Sequence, residues 1–355
     1  MVARVRLQAY ARRASGAVLG SAGGRTRRGP GLRQPEAVIE VNELTKRYRK
    51  VLAVDRLTFT VRPGQVTGFL GPNGSGKSTT LRMLLGLNRP TGGTATIGGR
   101  PFQQYGSGLR QVGALLDAGD AHRGRIARAH LAALARSNGL PSRRVLEVLE
   151  QVGLAQVAGR RIGGFSLGMR QRLGIAGALL GDPPVLMFDE PINGLDPEGI
   201  RWARELFRGL AAEGRTVLVS SHVMSEMENT ADHLVVIGGG RLIADEPLTE
   251  FAARATTARV TVRAPEPAAL AAVLREAESA AVVAVDEAQT LTVTGLSTVR
   301  INELAFAHRV PVYEVTAHGG SLEEAFMELT AQSVQFRTTD VRAGKSEDAI
   351  LGGTR

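Results

Sequence analysis

The apolar positions of this chain fall into two kinds of run. Three runs are short and uninterrupted: Val66–Leu70, Pro184–Phe188 and Thr216–Val219. Each has the length of a strand, and Pro184–Phe188, which ends in Asp189 and Glu190, has the pattern of a parallel strand buried on both faces. Other apolar residues are spaced for helices. In Thr79–Leu87, residues Leu81, Leu84, Leu85 and Leu87 can bury one face, and Trp202, Leu206 and Phe207 sit together in a helix after Asp196. Trp202 is expected to pack in the core. Past Pro247 the pattern changes. Arg259–Ala264 alternates as a strand, Pro267–Glu278 reads as a helix, and Ala281–Val285 and Thr290–Gly295 read as strands joined by an Asp286-Glu287 turn. Ser297–Val310 is again helical, Pro311–Thr316 is a strand, and Ser321 caps a last helix with Glu324 completing a capping box. The order βαββαβ, followed by a helix, predicts a small ferredoxin-like α+β unit.

Composition narrows the class. A chain of 355 residues suits two compact domains plus tails. The formal net charge is +10, but residues 1–35 alone hold eight arginines and no acid, so the rest is close to neutral. No basic stripe then demands a polyanion, and nucleic acid is not an expected partner. Residues 1–36, rich in Gly, Ala, Ser and Arg, lack the apolar core of a secretory signal. They are expected to form a disordered extension; a transit peptide is the compositional alternative, and contact with anionic lipid is open to them. Residues 332–355 are polar and charged, with the same expectation of disorder. The chain has no cysteine, as suits a reducing compartment, and no apolar run of about 18 residues, so no segment is expected to span a bilayer.

The chemistry is concentrated between the first apolar strand and the helix after it. Gly71-Pro72-Asn73-Gly74-Ser75-Gly76-Lys77-Ser78 fits the phosphate-cradling pattern GxxxxGK[ST], with Thr79 next in the helix. Glycines let backbone N–H groups wrap an anion, and the helix N-terminus adds roughly half a positive charge. Lys77 is then expected to reach the β and γ phosphates of a nucleoside triphosphate, and the Ser78 hydroxyl to take a Mg²⁺ position. Only Lys46, Lys50, Lys77 and Lys345 are lysine among 44 basic residues. A lysine is kept where a compact ammonium fits between phosphates and a planar guanidinium does not. At the end of the second apolar strand, Asp189 is expected to hold Mg²⁺ and Glu190 to polarise the attacking water.

Between these motifs lies Phe165-Ser166-Leu167-Gly168-Met169, which resembles LSGGQ, the signature of the ATP-binding cassette (ABC) family. Phe165, Leu167 and Met169 depart from it; Ser166 and Gly168, with the helix N-terminus, are retained as a second anion site. Asn193-Gly194-Leu195-Asp196 falls at the position of the family's D-loop, and His222, after Ser220-Ser221, at that of its switch histidine. A neutral imidazole there could donate to the γ-phosphate or to the attacking water. Tyr48 resembles the adenine-stacking aromatic, and Asp117 stands where the family usually has the glutamine of its Q-loop, from which it could contact hydrated Mg²⁺. His122, His130, His233, His308 and His318 show no metal-ligand spacing.

The resemblance implies an α/β fold of the P-loop NTPase cassette type over residues 37–247. That fold is a mostly parallel sheet with an antiparallel edge from the Val38–Val61 hairpin and a helical subdomain at about 118–165. Residues 253–331 follow as a small C-terminal α+β domain. In this family two cassettes pack head to tail, so a chain with one set of motifs implies a homodimer around ATP. The cassette is then a Mg²⁺-dependent ATP hydrolase at the cytoplasmic face of the membrane, docked on a separate permease along the 117–131 edge. FSLGMRQRLGIA and NGLDPEGI look like the drug-exporter cassettes of the daunorubicin and bacitracin resistance type. An import cassette and an ATPase acting on nucleic acid or ribosomes are the alternatives. Against the latter, no sustained heptads lie between Lys77 and Phe165.

Overall fold

The computed structural model describes residues 38–106, 108–255, 259–277, 282–285 and 290–318, with seven further positions between 322 and 330. The segments 1–36 and 332–355, the Asp286-Glu287 turn and the Ser321–Glu324 capping box lie outside the described residues.

The chain starts with a hairpin of β1 (Ile39–Tyr48) and β2 (Val51–Val61). Ile39 and Val41 point inward in alternation, and Leu44 re-enters the core only because a bulge intervenes, with Glu43 at φ 49°. Next come β3 (Val66–Leu70), buried throughout, and α1 (Lys77–Leu84). The helix begins earlier and ends earlier than the apolar spacing predicts: Gly86 turns left-handed at φ 67°, and Leu87 is 62% exposed beyond it. β4 (Gly92–Ile97) then returns to β1, giving an antiparallel sheet in the order β2-β1-β4.

A short α2 (Gly108–Gln111) leads into β5 (Val112–Leu115). α3 (Ala127–Ser137) and α4 (Arg143–Gln151) pack on each other and on α5 (Leu167–Leu179). β6 (Val185–Phe188), α6 (Pro197–Ala212), β7 (Thr216–Ser221), α7 (Met224–Glu228), β8 (His233–Gly238), β9 (Arg241–Pro247) and α8 (Leu248–Ala255) follow. Six of these strands form one sheet in the order β5-β6-β7-β3-β8-β9, parallel throughout except for β8 with β9. The antiparallel edge is therefore β9; the β1–β2 hairpin, which the sequence suggests for that place, belongs to the other sheet.

Both faces of the parallel sheet are covered, which is why its strands read as unbroken apolar runs. Leu186 and Phe188 join the cluster of α5 and α6 on one face, where Phe188 and Phe207 rings lie 4.7 Å apart. Val185 and Met187 join the β1–β2 hairpin and α1 on the other, where Phe59 meets Phe69 at 5.4 Å. The parallel direction brings the C-terminal ends of β3, β6 and β7 to one edge, with Leu70 opposite Ser221 and Phe188 opposite Val219.

A third sheet follows: β10 (Arg259–Arg263), α9 (Pro267–Ala277), β11 (Val282–Val285), β12 (Thr290–Thr294), α10 (Thr298–Ala307) and β13 (Glu314–His318). Its strands are antiparallel in the order β11-β12-β10-β13, the split βαβ arrangement. β13 starts later than Pro311 because its ladder with β10 opens at the Arg263–Glu314 pair. This unit has its own apolar cluster, including Val260, Leu270, Val293 and Ile301, whereas Phe326 packs into the cluster of the parallel sheet. Among the described residues no helix is long and apolar enough to cross a membrane.

Candidate active site

The segment Gly71–Ser78 crosses from the end of β3 to the start of α1. Gly74 and Gly76 take φ of 78° and 109°, the left-handed region that favours glycine. A Cβ on Gly76 would lie 2.7 Å from the Ala53 carbonyl oxygen, and one on Gly71 would lie 2.5 Å from that of Ile237. The loop is thus wedged between β2 and β8. Lys77, only 6% exposed, donates from Nζ to the carbonyl oxygens of Gly71 at 2.6 Å and Pro72 at 3.4 Å. Ser75 Oγ is buried without a partner, while Asn73, Gly74 and Ser78 are exposed and Pro72 and Thr79 half-buried. Thr80 Oγ1 returns to the Gly76 carbonyl at 3.0 Å, closing the first turn of α1.

Asp189 and Glu190 leave the end of β6 beside this loop. Asp189 is buried, and its Oδ1 accepts from the Ser220 hydroxyl at the end of β7. The same Ser220 Oγ accepts from Glu190 N at 3.0 Å, so one hydroxyl ties both acidic residues to the neighbouring strand. Glu190 sits at φ 48°, a strained conformation for a residue with a Cβ that costs about 1–2 kcal/mol. Its backbone is held from the other side by Gln171 of α5, whose Nε2 donates to the Glu190 carbonyl at 2.8 Å. That turn aims the side chain back over the loop: Oε1 is 3.4 Å from Lys77 Nζ, and Oε2 is 2.9 Å from His222 Nδ1. Lys77, Glu190 and His222 therefore form one continuous chain of contacts. Glu226 stands behind them, accepting from Ser221 Oγ; burial pushes its carboxyl pKa up, the Ser221 bond pulls against that, and the Glu190 charge adds to the rise.

A cleft of about 350 Å³ opens beside Glu190, lined by Asp117, Arg123, Leu167, Arg170, Gln171 and Asp189 among others. Asp117 folds on itself, its Oδ1 accepting from Gly119 N at 2.6 Å. Ser166 caps α5 by accepting from Met169 N at 3.2 Å, and Asp196 caps α6 by accepting from Gly199 N at 2.9 Å. A Cβ on Gly168 would lie 3.1 Å from the Gly194 carbonyl oxygen, so the Asn193–Asp196 turn rests against the start of α5. Tyr48 sits apart from these groups at the end of β1. Its hydroxyl accepts from Asn88 at 2.8 Å and its ring lies 4.9 Å from the Lys46 ammonium. Trp202 packs at the edge of the core under the Arg172 guanidinium, 4.4 Å from its ring centre. His233 pairs with Asp245 at 2.7 Å, and among the described residues no group of three or more His, Cys, Asp or Glu could hold a metal ion.

The structure thus brings Lys77, Glu190 and His222 into contact, sets Asp117 and Asp189 with Glu190 around one cleft, and places Ser166 and Asp196 as helix caps, with Gly168 against the 193–196 turn. Ser220, Gln171 and Glu226 are the residues that sequence reasoning missed. The available signal was the pair of polar residues, Ser220 and Ser221, closing an apolar strand just before His222.

A glycine loop leading into a helix from the middle of a parallel sheet, with paired carboxylates ending a strand two places away, defines a P-loop nucleoside triphosphatase. A family model described as ABC transporter matches residues 54–193, and one described as a domain of unknown function (DUF8746) matches 258–323. The chain is 34% identical over 306 residues to YhcH of Bacillus subtilis (strain 168), an uncharacterized ABC transporter ATP-binding protein, covering 84% of this chain and 97% of that one. It is 42% identical over 220 residues to BcrA, the bacitracin transport ATP-binding protein of Bacillus licheniformis, covering 61% and 72% of the two chains. A solved structure of the ATP-binding subunit of an ABC transporter shares 29% identity at a TM-score of 0.56, over 61% of this chain and 92% of that one. The chain belongs to the ABC transporter ATP-binding proteins, and its activity is ATP hydrolysis.

Proposed function

We propose that this chain drives export of a drug, antibiotic or similar hydrophobic compound through a separate membrane permease, acting peripherally at the cytoplasmic face as a homodimer of cassettes. The observation that carries the chemical assignment is the contact chain from Lys77 through Glu190 to His222 at the N-terminus of α1. Backbone N–H groups of residues 73–79 and the Lys77 ammonium hold the β and γ phosphates of ATP, displacing the Gly71 carbonyl and Glu190 as Lys77's partners. Glu190 orients and deprotonates the attacking water. His222, hydrogen-bonded to Glu190, fixes the direction of that carboxylate and faces the γ-phosphate. The exposed Tyr48 ring offers a face to adenine.

The oxygens present suit Mg²⁺. Asp189 has one carboxylate oxygen committed to Ser220 and Ser78 carries an exposed hydroxyl, a small hard-oxygen set appropriate to an ion that takes its other ligands from phosphate and water. When bound, the ion neutralises charge on the phosphate oxygens. Ser166 caps its own helix through Met169 N, and Gly168 lies against the Asn193–Asp196 turn. A second copy supplies them across ATP, at the helix terminus that binds anions. Residues 37–247 form this cassette, with its helical subdomain at about 118–165, and 253–331 an accessory domain. Likeness to the bacitracin transport protein supports an antibiotic-like cargo. The test is nucleotide binding and turnover of the full chain with Mg²⁺: Lys77→Ala is expected to weaken ATP binding at least tenfold. Unchanged affinity would remove the phosphate role from this loop.

A further inference from the structure

The first turns of α5 grip the segment that carries Glu190 at two points. Leu167 and Gln171 stand four residues apart at the start of that helix, the spacing that puts two side chains on one face. Gln171 Nε2 donates to the Glu190 carbonyl at 2.8 Å, where the segment opens at φ 48°. Leu167 lies over the other end. Gly194 has φ 76°, and the Leu167 side chain fills the space that a Cβ there would need, which such a Cβ would share with Leu167 Cγ and Cδ2. The segment between is short and tied to itself. Asn193 N donates to the Glu190 carbonyl at 3.3 Å, Asn193 Nδ2 to Glu190 Oε2 at 3.4 Å, and Leu195 N to the Ile192 carbonyl at 3.1 Å. A shift at Gly194 is therefore passed through Asn193 to both the backbone and the carboxylate of Glu190. Leu167, Gln171, Glu190 and Asn193 all line the same cleft. Leu167 is 49% exposed, so much of it lies outside the core. Position 167 is also one of the three at which the chain departs from LSGGQ. A glycine there has no side chain with which to reach Gly194.

We propose that Leu167 is a positioning residue for Glu190. With Gln171 it clamps the 190–196 turn to α5, so that the helix starting beside Ser166 and the turn carrying the base move as one body. Leu167 touches no reacting atom in this role; it acts through Gly194 and Asn193. Gly194 is matched to it, since a residue without a Cβ both accepts the left-handed turn and leaves room for the leucine. A displacement of about 1 Å at a reacting group can cost on the order of 10² in rate, so a clamp on this turn bears on turnover more than on nucleotide binding. The proposal deepens the reading of Glu190 as the base and rests on it. The competing account is that Leu167 only covers the turn from water, in which case its removal lowers stability and leaves the carboxylate where it was.

The experiment is a double-mutant cycle on the full chain with Mg·ATP, using Leu167→Gly, Gly194→Ala and the two combined. Leu167→Gly removes the clamp and Gly194→Ala pushes the leucine off the turn, so both break the same contact. Each is expected to lower kcat at least tenfold, while affinity for Mg·ADP, which occupies the phosphate loop, stays within about twofold of wild type. The double variant should be no slower than the slower single one. Leu167→Met, which keeps a long apolar side chain, should hold kcat within about threefold of wild type. Wild-type kcat in Leu167→Gly overturns the proposal, and so do losses that multiply in the double variant. Mg·ADP affinity falling in step with kcat also overturns it, because the substitutions then act on the fold. Glu190→Gln keeps the two readings apart. Turnover retained in that variant removes the base assignment, whereas turnover lost there but not in Leu167→Gly removes only the clamp.

Discussion

At the scale of single residues, the site depends on groups that touch no nucleotide. Ser220 bonds Asp189 and the backbone of Glu190 at once. Ser220→Ala leaves a buried carboxylate oxygen and a buried N–H short of partners, a loss of about 1–3 kcal/mol. It also frees the strained Glu190 turn, so turnover should fall more than ATP affinity; a variant with wild-type turnover and stability would deny Ser220 this role. His130 offers a pH test away from the chemistry. Burial, with the Arg125 charge beside it, pulls its pKa below the ordinary 6.5. The unfolded chain therefore takes up this proton first, and the contribution of neutral His130 is complete above pH 6.5 and lost as pH falls through the folded value. His130→Gln should flatten that acid-side loss in urea unfolding. Parallel stability curves for the two proteins would contradict it.

At the scale of elements, the strand–loop–helix junction separates two costs of a glycine. Gly64 and Gly76 both have positive φ, 82° and 109°, but only at Gly76 does an added Cβ meet backbone, 2.7 Å from Ala53 O. Gly64→Ala should cost about 1 kcal/mol, and Gly76→Ala about 2–4 kcal/mol with loss of nucleotide binding. Equal effects would mean that the close approach of β2 does not matter. The same junction shows why parts of this fold were legible in the letters. Gly71–Ser78, Asp189-Glu190 and His222 each follow an apolar run that forms a parallel strand, so their places at one edge of the sheet could be read from the letters. The partnership of Gln171 with Glu190 comes from packing a distant helix against a turn, and no spacing reveals it. β9 escaped notice because Arg241–Pro247 is an exposed edge that mixes charge with apolar residues, and β4 because Gly92-Gly93 opens it. The βαββαβ unit was readable because β10 and β12 alternate over one covered face, with Val260, Val262, Leu291 and Val293 inward.

At the scale of the whole molecule, the proposed function gives each chain two unlike half-sites. Lys77, Glu190 and His222 converge on one α-helix N-terminus, while Ser166 and Gly168 stand at another, Ser166 capping it and Gly168 against the Asn193–Asp196 segment of its own chain. On the proposed reading, closure over ATP joins unlike halves of two copies, and hydrolysis removes the charge that joined them. Glu190→Gln keeps the Lys77 side of the site but lacks the base, so it should bind ATP and sediment as a dimer without turnover; a monomer at saturating ATP would argue against closure. The most direct measurement mixes two inactive chains, Lys77→Ala and Ser166→Arg. Shared sites predict that the mixture recovers turnover, to about a quarter of the wild-type rate from statistical heterodimers with one intact site. A mixture as inactive as its components would show that each chain completes its own site, contrary to this account.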